Sequence, residues 1–252
     1  MHRQSETFLE FDNFDITYRE LIVSVAIVFI MLIIGNVISG NVVRKSLEDK
    51  QKYNTAISID SENMFDYGLR TNVGNAFCQG KLTALDTVSD SMIRGEWMSI
   101  YREEEHYNQH VRTVTRTDGK GHTYTAIEIY YSWDFYDSET KHCNKVSFLG
   151  KEFDYDNISF SNRYLETVSS GSRVRFKFYV KDTQYDGTLF TNIDNKTINN
   201  SQFYPNKDIE QAKADLISSA GHRVVIFWVV WIVITVVIVF VFYVAKNRWL
   251  DD

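Results

Sequence analysis

The chain has 252 residues, and its 33 acidic against 27 basic side chains leave a net charge of −6, which argues against a nucleic-acid binder built on a basic surface. One proline and 12 glycines exclude collagen-like, proline-rich and linker-like architectures. Two cysteines are too few for a disulfide-dense scaffold or an all-cysteine zinc site.

Residues 1–20 read as a short tail that carries Glu6, Glu10, Asp12, Asp15 and Glu20. Leu21 to Val43 follows without a charged side chain and ends at Arg44 and Lys45. At about 1.5 Å per residue this run crosses a hydrocarbon core of roughly 30 Å. The acidic tail is the wrong flank for a secretory leader, so the run is expected to be a retained transmembrane helix. Gly35, Asn36, Ser39 and Asn41 dilute its second half, which places the expected membrane exit near Ile38. Asn36 and Asn41 suit either hydrogen bonds between helices or the interface. Arg44 to Tyr53 is expected to continue the helix, with Glu48 and Lys52 at a supportive i, i+4 spacing.

Residues 44–223 read as one β-rich extramembrane domain. Within Ser99 to Asp134, two runs rich in Thr, Val, Ile, Tyr and Trp flank Asp118-Gly119-Lys120-Gly121-His122, a hairpin signal. Pairing Thr117 with Thr123 sets Val111 against Ile129, Tyr107 against Trp133, Arg112 against Glu128 and His106 against Asp134. A shift by one residue sets Arg112 against Ile127, so cross-strand chemistry selects the first register. Further strands are expected at Lys145 to Phe148, Asn157 to Phe160, Ser172 to Val180 and Gly187 to Asn192, punctuated by Gly68, Gly74, Gly80, Gly95, Gly150, Gly171 and Gly187 as turns or bulges. Asp208 and Gln211 form a capping-box pattern ahead of a short helix that leads toward Gly221.

The second uncharged run, Val224 to Ala245, lies between Arg223 and Lys246 and has Thr235 as its one clearly polar member. Its 22 residues favour a helix over the alternative of buried β-strands, since strands rarely exceed about 10. Trp228 and Trp231 toward one end, with Tyr243 and Trp249 toward the other, are placed as membrane-interface aromatics. Residues 246–252 form a short C-terminal tail. The expected fold is therefore an α+β membrane protein: two transmembrane helices flank a single β-rich domain with short helical stems.

The segments TNVGNAF at 71–77, HVRTVTRTDGKGHTYTAIEIYYSWD at 110–134, YDGTLFTNI at 185–193 and NRWL at 247–250 resemble a group of uncharacterised two-span membrane proteins of Gram-positive bacteria and their phages. The resemblance implies the two-span architecture and no activity, so it transfers no functional residue.

Candidate sites were weighed from their chemistry. His106, His110, His122 and His142, with Glu103, Glu104, Glu105 and Asp134 nearby, lack metal-ligand spacing: His106 and His110 have no HExxH glutamate, and on a strand they stand about 13 Å apart. No phosphate loop, GxSxG elbow or dinucleotide fingerprint occurs, and Asp154 with Asp156 form only a weak carboxylate pair. No catalytic residue, cofactor or metal is therefore assigned. Tyr131, Trp133 and Tyr136 are a candidate recognition surface, although core packing explains about half of the aromatic runs at 130–136 and 176–179. Cys78 and Cys143 are a candidate disulfide, which suits an oxidising compartment. Basic residues near the spans favour a cytoplasmic domain, but a loop far beyond about 60 residues escapes that rule. The domain is accordingly expected outside, with both termini cytoplasmic, in the cell envelope. The expected function is non-enzymatic contact with a protein or surface ligand, the bilayer being the other partner. A subunit of an oligomeric two-span channel and a membrane-tethered enzyme are the alternatives.

Overall fold

A computed structural model describes residues 7–11 and 14–250, with side chains described for 18–245. The chain divides into two compact units, Met1–Thr55 with Lys213–Asp252, and Ala56–Ala212. The first unit opens with β1 (Thr7–Phe11) and β2 (Phe14–Thr17), an antiparallel pair within the stretch expected to be a simple tail. Helix α1 (Tyr18–Thr55) then runs 38 residues through both the expected span and its stem.

The second unit is β-rich. In chain order it contains β3 (Ile57–Ile59), α2 (Glu62–Thr71), β4 (Gly74–Ala84), β5 (Val88–Asp90), β6 (Ile93–Trp97), β7 (Ser99–Thr117), β8 (Thr123–His142), β9 (Lys145–Phe148) and β10 (Lys151–Asp154). A 3-10 turn at Tyr155–Asn157 leads to β11 (Ile158–Ser159), β12 (Arg163–Ser169), β13 (Val174–Lys181), β14 (Gln184–Asp194) and β15 (Thr197–Pro205). The larger sheet has the order β10-β9-β4-β14-β15-β11, with β3 and β9 sharing one edge of β4. A second sheet has the order β12-β13-β7-β8, and β5 pairs with β6 in a separate hairpin.

Apolar residues that alternate along β4, β9, β14 and β15 bring Cys78, Leu82, Phe148, Leu189, Ile193 and Phe203 into one core. Helix α2 closes it. Phe65 and Leu69, one helical turn apart, point inward, and the Phe65 ring meets Phe148 and Phe153 edge-on at centroid distances of 5.8 and 6.1 Å. Asn72 ends the helix in the left-handed conformation at φ 53°. Gly68 was expected to mark a turn and instead lies inside α2, where a Cβ would press to 3.3 Å on Ile59 and Val73. Close packing explains this glycine.

The capping box forms as expected: Asp208 Oδ1 accepts from Gln211 N at 2.8 Å, and Gln211 Oε1 accepts from Asp208 N at 3.3 Å. The helix it starts, α3 (Ile209–Leu250), does not stop at Gly221 but runs 42 residues in all. The expected stem and the second apolar run are thus one element. In the first unit α1 and α3 lie antiparallel, as the contacts Tyr243 to Ser24, Trp231 to Met31 and Ser46 to Ala220 follow one another in opposite chain directions. Ser24, Gly35, Ser39 and Ser46 are the buried small residues of α1, and they let the helices approach. Around them the apolar side chains face outward: Ile22, Phe29, Ile226 and Phe240 are each more than 60% exposed.

Candidate functional site

The hairpin is the most distinctive surface of the β unit. Its register is the one cross-strand chemistry selects, with Val111 opposite Ile129, Tyr107 opposite Trp133, Arg112 opposite Glu128 and His106 opposite Asp134. Asp118 Oδ1 closes the tip by accepting from the backbone of Lys120 and His122, and Gly121 takes φ +87° there. The strands run on past the expected end at Asp134 to 19 and 20 residues, because β13 pairs with β7 from Ser99 to His106 and supports their lower half. Beyond His106 the ribbon is two-stranded. Its eleven pairs from Tyr107–Trp133 to Thr117–Thr123 extend about 37 Å. None of these residues is buried.

Strand alternation gives the ribbon two unlike faces. One presents Val111, Ile127, Ile129 and Tyr131, with Ile127 73% exposed and Val111 62% exposed. Lower on this face Tyr107 stacks with Tyr131 at 5.6 Å and tilts against Trp133 at 5.2 Å. The other face is ionic: Arg112 Nε donates to Glu128 Oε2 at 2.7 Å while its guanidinium covers Tyr130, and Asp134 accepts from Ser132, Asn108 and His110. Hydrogen bonds from Ser132 and Asn108 hold the Asp134 carboxyl below its usual range.

Two acidic residues fix the base. Glu105, 7% exposed, accepts from Arg175 at 2.5 Å and from Lys177 at 2.6 Å. Burial raises its pKa, yet the two cations outweigh burial and the net shift is downward. Arg175 also lies 4.3 Å from the Trp133 ring centroid, so one cation ties the acid to the aromatic row. Asp90, also buried, accepts from Met92 N and Lys141 Nζ and lies 3.7 Å from Arg102, which fastens the β5–β6 hairpin to the ribbon root.

The structure divides the expected recognition set. Tyr131 and Trp133 share the apolar face, whereas Tyr136 is the extra residue of a bulge opposite Glu104 and Glu105 and stacks on His106, on the ionic side, at 4.0 Å. Val111, Ile127 and Ile129 belong to the surface and were not singled out from sequence. The register already put Val111 beside Ile129; that nothing among the described residues covers them is a tertiary fact.

Each candidate-site histidine is engaged separately: His106 with Glu104, His110 with Asp134, His122 with Asp118, and His142 with the Cys143 carbonyl. Among the described residues no three metal-ligating side chains converge. Asp154 ends β10 and Asp156 lies in the 3-10 turn, so the strand alternation that would aim both one way does not apply. The expected Cys78–Cys143 bridge is not formed. Both are free, buried thiols of the main core, a role that an even count of cysteines fits equally well. Burial pushes Cys78 up to about 12 and Cys143 up to about 11. Of the aromatics expected at the membrane interface, Trp231 turns inward, donating to the Met31 carbonyl at 2.9 Å over Gly35, and Tyr243 donates to Ser24. Trp228 packs edge-on to Phe227, and the Trp249 side chain lies outside the described residues.

The β unit also carries two clefts. A polar one of about 510 Å³ is lined by Asp156, Asn157, Ser159, Asn199, Asn200 and Gln202, and His142 Nε2 lies 4.0 Å from its one carboxylate, Asp156. An apolar one of about 320 Å³ lies between β3 and α2, at Ile57, Met64 and Tyr67. No protein-family model matches the chain, and no curated protein or solved structure matches it.

Proposed function

We propose that this is an integral membrane protein whose two apolar helices both cross the bilayer, and whose β unit lies outside the cytoplasm and uses the apolar face of the β7–β8 ribbon for non-catalytic contact with another protein. The observation that carries the reading is that face: Val111, Ile127, Ile129 and Tyr131 form a contiguous exposed row on a ribbon that the other described residues leave bare. An isolated two-stranded ribbon is marginal in water and exposed apolar strands invite pairing, which favours a cover. Aliphatic side chains suit a protein partner better than a hydroxyl-rich glycan. The membrane part is supported by the outward-facing apolar surface of α1 and α3, which differs from the buried stripe of a soluble core helix. Placement outside is compatible with the length of the intervening segment, which can be translocated largely regardless of the basic residues beside the helices.

The test is site-specific photo-cross-linking in cells, with the photoreactive residue at Ile129 or, as a control, at Asn195. The expected result is one discrete adduct from Ile129 alone that disappears when Ile127→Ser is added. An adduct common to both positions, or none from the ribbon, overturns the contact surface.

A further inference from the structure

We propose that α1 carries a second interface, through which two copies of this chain associate inside the bilayer by pairing Asn36 with Asn36; the inference rests on the membrane-spanning reading above.

Helix α1 spends one face on α3, where Ser24, Gly35, Ser39 and Ser46 are buried. Asn36 follows Gly35 by about 100° of helix rotation and therefore lies on the flank of α1, to the side of that seam. It is exposed, its carbonyl accepts from Ser39 Oγ at 3.0 Å, and its side-chain amide has no partner among the described residues.

The α3 contacts give the depth of this amide. Tyr243 against Ser24 and Ser46 against Ala220 place Val224, where the apolar run of α3 begins, level with Val42. Val225 and Ile226 at that level are apolar and 58% and 61% exposed, side chains that the membrane-spanning reading sets against hydrocarbon. On that reading the boundary lies near Val42, beyond the Ile38 expected from sequence, and Asn36 about 9 Å inside it. There no water can satisfy an amide, and polar side chains within spans face protein rather than lipid.

The strip that contains Asn36 suits a helix partner. Ile22, Val25, Phe29 and Leu32 precede it at steps of three and four and are all exposed, and Gly40 follows with open space where a Cβ would stand. That is the spacing of a helix–helix seam, with a small residue that permits close backbone approach. The partner is a second copy because the amide is self-complementary. It carries both a donor and an acceptor, so two Asn36 side chains about a two-fold axis along the membrane normal satisfy one another reciprocally. One polar residue in an otherwise apolar seam also fixes the register at Asn36 against Asn36.

The experiment uses full-length chain labelled with donor or acceptor dye, reconstituted in phosphatidylcholine vesicles and diluted with lipid. Energy transfer is expected to fall along a dimer isotherm. Asn36→Leu is expected to raise the apparent dissociation constant about threefold to thirtyfold. Gly40→Leu is expected to weaken association as well, while Asn36→Gln retains most of it and Val233→Leu, on the exposed surface of α3, leaves it unchanged. A wild-type monomer, or an Asn36→Leu variant that associates like wild type, overturns the proposal. A stoichiometry above two overturns the pairwise form in favour of a ring. Alkaline carbonate extraction of the same vesicles separates the two readings: chain that resists extraction yet stays monomeric sinks only the interface, whereas released wild type sinks both.

Discussion

Glu105 stands where the four-stranded sheet narrows to two strands, and its two cations make it the most consequential single acid of the domain. Replacing it with Gln keeps the volume but removes two charge-assisted hydrogen bonds, and a loss of about 1–3 kcal/mol is expected in denaturant melts of the domain. The pH dependence follows from the direction of its shift. Its pKa is lowered on folding, so its stabilisation is present above the ordinary glutamate value of about 4.3 and is lost as pH falls through the lower native value. The gap between wild type and Glu105→Gln should therefore narrow only in acid; a constant gap from pH 7 to pH 3 contradicts the assignment. The cysteines give a second residue-scale expectation. Buried thiols held protonated react slowly, so Cys78 and Cys143 should resist alkylation in the native chain and both label after unfolding without reductant. Mass spectrometry that finds neither labelled restores the bridge.

Among the elements, the ribbon was the most legible because its information is local: alternation on both sides of a glycine-containing loop, with opposite charges that meet in one register. Exchanging Arg112 and Glu128 keeps the pair and should leave the thermal transition almost unmoved, since exposed ion pairs contribute little and apolar packing sets the register. A large downward shift in the swapped variant would mean that the ionic face, not the apolar one, is what holds the ribbon. Helix α2 was missed although Ser61, the Phe65–Leu69 spacing and Asn72 are helix signals, because Gly68 reads as a turn until the close approach of Ile59 is known. Trp231 shows a similar ambiguity: a tryptophan near the end of an apolar run reads as an interface residue, and only the structure shows that the opposite helix supplies the Met31 carbonyl for its indole N–H. The split of Tyr131 and Trp133 from Tyr136 was present in strand parity, and the bulge fixes which face each takes. What escaped sequence reasoning throughout was burial, since the absence of a cover over Ile127 and Ile129 depends on where every other element ends.

At the scale of the whole molecule, insertion and orientation can be tested apart. Ile234 lies near the middle of the second span and is 41% exposed, so Ile234→Arg should cost about 2.5–3.5 kcal/mol of insertion free energy and shift the chain toward the carbonate-soluble fraction. Unchanged membrane retention of that variant argues against a spanning α3. Orientation is the more exposed part of the reading, because the free thiols withdraw the redox argument and the basic residues flanking the spans point inward. Some of those cations are not bare: Arg223 pairs with Asp49 at 2.6 Å and Arg44 lies 3.9 Å from Glu48. Acidic partners contribute little to orientation, however, so the decision falls to a measurement. Protease added to intact protoplasts is expected to cut at the Asp118–His122 tip, which is exposed at every position, and to leave two membrane-embedded fragments. Cleavage that appears only after lysis places the domain in the cytoplasm. The ribbon would keep its apolar face in that case, and its protein partner would then be sought inside the cell.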